Sequence, residues 1–106
     1  MNAPKVDFPS FVSSLAAGAA AALNQAEQLR GGAAPRSESG EEQELSPQQR
    51  EEQVQGALVV ARQLIDTLVM LEEKTSGNLS VGEQEVLRTS LTGLRISYVR
   101  AASPRS

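Results

Sequence analysis

The chain has 106 residues, a formal net charge of −3, and no Cys, His or Trp. That length holds one domain at most, and the missing thiol and imidazole exclude a disulfide framework, a thiolate nucleophile, a Ser–His relay and the commonest nitrogen metal ligand. The two methionines are the only soft ligands left for zinc or copper, so no metal, no cofactor and no enzymatic activity is expected.

Mild acidity argues against nucleic acid as a partner. The basic C-terminal part, with Arg88, Arg95, Arg100 and Arg105, has no interleaved aromatic residues for base stacking. No run of ~18 apolar residues is present, so no membrane insertion is expected. The stretch 11–23 is apolar and Ala-rich like a signal peptide. Asp7, Pro9 and the helical stripe described next speak against that, and a cytoplasmic location is the expectation.

Residues 1–7 read as a loose arm. From Phe8 to Leu29, the positions Phe8, Phe11, Val12, Leu15, Ala19, Ala22, Ala26 and Leu29 recur at three- and four-residue steps, which is one face of an α-helix. Asp7 is a natural N-cap, Pro9 suits a first turn, and Gly31-Gly32 supplies the stop. The centre of this helix, residues 16–22, is nearly all alanine and glycine. Such a surface lets another helix approach closely, or simply reflects the helix preference of Ala. The first 30 residues therefore form an N-terminal amphipathic helix with a short arm.

Residues 31–46 carry a surplus of Glu and almost no large apolar side chain. They cannot bury enough surface to offset the entropy of ordering, so a flexible, disordered acidic linker is expected. Ser46-Pro47-Gln48-Gln49 then opens a second helix: Ser46 caps, Pro47 fits the first position, and Gln49 completes a capping box. This helix is expected over about 47–76. At ~100° per residue, Val54, Ala57, Leu58, Val60, Ala61, Leu64, Ile65, Leu68, Val69 and Leu71 cover an arc of roughly 180°, wider than one neighbouring helix can hide. The opposite arc is polar, with Val59 and Met70 as its apolar exceptions.

Gly77 sits where a left-handed residue ends a helix. Ser80 and Glu83 form the next capping box, and Leu79 plugs the end of the resulting hairpin. The third helix is expected over about 81–101, followed by a flexible tail at 102–106. Its seam of Leu87, Leu91, Leu94 and Tyr98 is narrow and suits one neighbour. Folding helix two back on helix three pairs Leu71 with Leu87, sets Leu64 and Leu68 against Leu91 and Leu94, and lays Tyr98 over Ala57 and Ala61. Such a hairpin (47–101) is short of buried surface on its own. Something must cover the wide arc: the first helix, a second chain, or both.

The expected fold is therefore all-α: an N-terminal helix, a flexible linker, and an antiparallel helical hairpin assembling into a helical bundle as a homo-oligomer, most simply a dimer. Its core and interface residues are Phe8, Phe11, Leu15, Leu58, Leu64, Ile65, Leu68, Leu71, Leu87, Leu91, Leu94 and Tyr98. Glu72-Glu73 stands in the last helical turn, where acid is unfavourable. Lys74, Arg88 or Arg95 is expected to compensate by ion pairing. The hairpin turn, comprising Glu72, Glu73, Lys74, Thr75, Gly77, Asn78, Leu79, Ser80 and Glu83, is the candidate contact tip, because capping does not demand all of these residues.

The run Ile65-Asp66-Thr67-Leu68-Val69-Met70-Leu71-Glu72-Glu73-Lys74-Thr75-Ser76-Gly77-Asn78-Leu79-Ser80, with Glu83 after it, resembles the signature of a small bacterial family of domains of unknown function, I-D-x-L-x-M-L-E-E-K-T-x-G-N-L-T/S-x-x-E. Leu87, Leu91, Leu94, Arg95 and Tyr98-Val99 resemble the family's tail, and the stretch 8–15 resembles its opening F-x-x-F-x-x-S-L. The resemblance covers most of 8–29 and 54–99. It departs in the middle, where a longer acidic insert replaces a short link. The family has no established activity, so the resemblance implies a helical fold and no catalytic residues. The functional expectation is a self-associating scaffold or adaptor. The alternative is a binding module whose N-terminal helix engages a membrane or a protein partner.

Overall fold

The computed structural model describes residues 7–31 and 45–103. The expected arm at 1–6, most of the expected acidic linker (32–44) and the tail at 104–106 lie outside the described residues. Three helices make up the regular structure: α1 (Phe8–Arg30), α2 (Pro47–Lys74) and α3 (Val81–Ala102). No strand occurs among the described residues.

Local chemistry sets each start. Asp7 Oδ1 accepts from the Ser10 N–H at 2.9 Å, with Pro9 in the first turn. Ser46 Oγ accepts from the Gln49 N–H while Gln49 Oε1 accepts from the Ser46 N–H. Ser80 and Glu83 repeat this reciprocal capping box at α3. The stops differ from the expectation. Gly31 caps α1 with a right-handed φ of −77°, so its use there is not the left-handed one. α2 ends at Lys74 with Thr75 as its C-cap, two residues before Gly77. Gly77 instead holds φ +85° in a turn closed by the Asn78 N–H donating to the Thr75 carbonyl at 2.9 Å. That is the third position of a β-turn, where a type II geometry requires positive φ.

The three helices share one apolar core. α1 runs antiparallel to α2: Ala22 and Gln25 border a groove with Gln53, Gly56, Ala57 and Val60. It runs parallel to α3, where Ala20, Leu23, Asn24 and Glu27 border a groove with Ser97 and Arg100. The backbone of α1 lies close to those of α2 and α3 over more of its length than those two lie close to each other. The first helix of the same chain thus covers the wide apolar arc of α2. Its small side chains do this by permitting close approach: Ala19 and Ala26 are fully buried, and a Cβ added at Gly18 would lie 3.2 Å from Leu64 Cδ1.

Several pairings change as a result. Leu64, expected against α3, lies against Gly18 of α1. Ala57 faces the α1 groove, and Tyr98 borders a different groove with Arg62 and Ile65. The seam of α3 serves two neighbours instead of one. Leu58, Ile65, Leu68, Leu87, Leu91 and Leu94 are buried, and Phe8, Leu15, Leu64, Leu71 and Tyr98 pack half-buried at the edge of the core. Phe11 is outside it, 47% exposed, while its neighbour Val12 is fully buried. Val60, placed by spacing on the covered arc, is also exposed.

Candidate functional site

The hairpin tip divides into residues that build the turn and residues that do not. The Thr75 hydroxyl donates to the Leu71 carbonyl and so satisfies an orphan group at the end of α2. Gly77 supplies the positive φ, Ser80 and Glu83 cap α3, and Leu79 packs half-buried against the core. Glu72, Glu73, Lys74 and Asn78 are exposed. The expected ion pairs of Glu72-Glu73 with Lys74, Arg88 or Arg95 are not formed among the described residues. All five are solvated, and at high dielectric such pairs gain little.

The opposite end of the bundle holds a cluster that sequence reasoning missed. There the end of α1, the start of α2 and the end of α3 meet. Arg30 Nη1 donates to the Ser103 carbonyl at 3.0 Å, and Nη2 lies 3.5 Å from Glu51 Oε1. Gln55 Nε2 holds the same Glu51 oxygen at 2.9 Å. Arg50 Nη1 donates to the Leu29 carbonyl at 2.8 Å, placing a cation at the negative end of α1. The Arg30 side chain is mostly buried, and its Nε has no partner. Nothing local in the sequence marks these contacts, because they join residues far apart in the chain. This cluster is a structural clamp: its shortest arginine contacts, from Arg30 and Arg50, go to backbone carbonyls at helix ends.

Nothing described assembles a reaction centre. The described residues bury no polar or charged residue in the core and bring no three Asp, Glu, His or Cys side chains together in a metal-holding group. The Asp7 carboxyl is held below its usual range, by the Ser10 backbone N–H first and its hydroxyl second. That is a helix cap, fully exposed.

What the surface does carry is apolar. Phe11, Val59, Val60, Met70, Val81, Ile96 and Val99 are all more than two-fifths exposed. A groove of ≈ 410 Å³ between α2 and α3 is lined by Arg62, Ile65, Asp66, Arg95, Tyr98 and Val99. It confirms the antiparallel course of these helices. An 18-residue window of α2 reaches a mean hydropathy of 1.4, with only 28% of it buried inside the fold. That window is apolar enough for a membrane span, which the expectation from the sequence had excluded. Two observations favour a bundle helix over a spanning one. Its central face is sealed by α1 and α3, and Arg62 and Asp66 stand in its middle, where hydrocarbon makes charges costly.

A family model described as domain of unknown function, DUF1844, matches residues 5–100. No curated protein and no solved structure matches the chain.

Proposed function

The chain belongs to the DUF1844 family of unknown function, and from that premise we propose that it is a non-enzymatic helical module that self-associates and serves as a scaffold or adaptor. One observation carries this reading: seven large apolar side chains stay exposed on a bundle whose three helices have already covered one another. Of these, Val59, Val60 and Met70 share one side of α2, and grouped apolar surface marks an interaction site where singly scattered residues do not. A cytoplasmic, bacterial setting is part of the same proposal. It is supported by the charges that α2 and α3 expose beside that apolar surface, Arg62, Asp66, Glu85, Arg88 and Arg95 among them, and by the resemblance noted above.

Sedimentation equilibrium and light scattering test it. A homo-oligomer at micromolar concentration is expected, and a compact, stably folded monomer would refute it. The rival reading, in which α1 reaches out to a membrane or protein, has little left to use. Val12, Ala19, Ala22, Leu23, Ala26 and Leu29 of α1 are buried inside the chain, leaving Phe11. Deleting residues 1–30 is expected to unfold the remainder. A deletion variant with unchanged helicity and oligomeric state would restore the rival.

A further inference from the structure

We infer that the outward stripe of α2 is the self-association face, and that it meets the same stripe of a second copy in antiparallel orientation. The inference rests on the self-associating reading and specifies where and how the copies join.

At ~100° per residue, Gly56, Val59, Val60, Gln63, Thr67 and Met70 fall along one side of α2, spaced by three and four residues as in a helix–helix seam. Val59, Val60 and Met70 are 56%, 48% and 43% exposed, and Gly56 and Gln63 are exposed as well. No charge interrupts the stripe. Arg62 and Asp66, the two charges in that part of α2, turn toward α3, line its groove, and approach each other to 4.0 Å. The exposed apolar residues of α3 offer no comparable strip, because Glu85, Arg88, Arg95 and Arg100 stand among them.

The ends of the stripe choose the occupant. Glu52 closes one end and Lys74 the other, both exposed and neither in an ion pair among the described residues. The helix dipole favours acid at the start and base at the finish, but it does not require that both share the uncharged side. A parallel second copy would set Glu52 on Glu52 and Lys74 on Lys74. An antiparallel copy sets Glu52 against Lys74 twice over, which is what a two-fold, self-complementary contact demands.

Shape agrees with charge. Gly56 and Met70 lie equally far on either side of Gln63, so the antiparallel arrangement brings the Met70 side chain of one copy to the Gly56 end of the other. An added Cβ at Gly56 would meet nothing within 4 Å. Beside it is a depression of ≈ 280 Å³ bordered by Ala22, Gln25, Gln53, Ala57 and Val60. A flexible thioether is suited to fill such an irregular gap. Gln63 falls near the two-fold axis, where an amide can donate to and accept from its own copy.

The full-length chain tests this, and its lack of cysteine makes the test clean. Gln63→Cys is expected to be captured as a covalent dimer by a short bis-maleimide, and Ile96→Cys on the outer side of α3 is not. Glu52→Lys and Lys74→Glu should each weaken the dimer by roughly threefold to tenfold, and the double exchange should recover wild-type affinity. Circular dichroism should show all variants equally helical. A stable dimer that Gln63→Cys does not trap, or a double exchange as weak as the two single changes together, overturns this interface and leaves self-association standing. A chain that is monomeric throughout removes both.

Discussion

The clamp at the end of the bundle gives the sharpest test of how the helices are tied. Arg30 makes one short bond to the Ser103 carbonyl at 3.0 Å and one long contact to Glu51 at 3.5 Å. The first is a charge-assisted bond from a mostly buried guanidinium, worth ~1.5–3 kcal/mol. The second reaches a carboxylate that is 57% exposed, a class of pair worth ~0–1 kcal/mol. The partnerless Nε takes back part of the gain. Arg30→Met keeps the aliphatic stem and removes the bonds, and it should cost about 1–2 kcal/mol net. Glu51→Gln should cost less than ~0.5 kcal/mol. Urea or thermal melts at fixed protein concentration would separate them, since ~1 kcal/mol moves Tm by roughly 4–8 °C in a domain near this size. If Glu51→Gln proves as costly as Arg30→Met, the ion pair and not the carbonyl bond ties α1 to α3. If Arg30→Met raises Tm, the orphaned Nε outweighs both contacts.

The turn and caps make further predictions. Gly77→Ala should lose about 1 kcal/mol, because φ +85° is strained for any residue with a Cβ; an unchanged melt would mean the turn relaxes freely. Ser80→Ala should lose ~0.5–2 kcal/mol by leaving the Glu83 N–H uncapped, and hydrogen exchange should quicken first at the start of α3. Asp7, with its carboxyl held below the ordinary value of 3.8 in the folded chain, contributes stability that is present above that value and lost as pH falls through the lower, folded one. Asp7→Asn, which caps through its amide oxygen at any pH, should flatten that acid limb in a pH series of melts.

The helices were legible because their signals are local. An Asp or Ser followed at the third residue by its partner needs no knowledge of the rest of the chain. For that reason the starts at Asp7, Ser46 and Ser80 match the expectation. What faces what was less legible, because it depends on which helix fills the third place. A hairpin considered alone lets Tyr98 lie over Ala57. With α1 present, that flank of α2 belongs to Ala22 and Gln25 instead. Apolar periodicity also under-reads α1. Ala19, Ala22 and Ala26 add little transfer energy each, yet their smallness is what brings two helices close to one another. Phe11 errs the other way: its size and spacing mark it for the core, yet it stays exposed.

The candidate tip illustrates the same division between local and distant causes. Much of the signature-like run from Ile65 to Glu83 now has a reason within one chain. Ile65 and Leu68 fill the core, Thr75 and Gly77 shape the turn, Leu79 seals it, and Ser80 with Glu83 restarts the helix. Met70 has no such reason, and Lys74 has only the helix dipole, which favours a cation in the last turn. They are exposed, uninvolved in the turn, and on the same side of α2 as Val59, Val60 and Gln63. A single chain leaves Met70 without a task and Lys74 without an ion pair among the described residues. Two chains paired through α2 give Met70 a gap to fill beside Gly56 and Lys74 a carboxylate at Glu52. Lys74 at the tip and the apolar stripe along the helix are then one feature, and it is a feature that a chain folded in isolation cannot use.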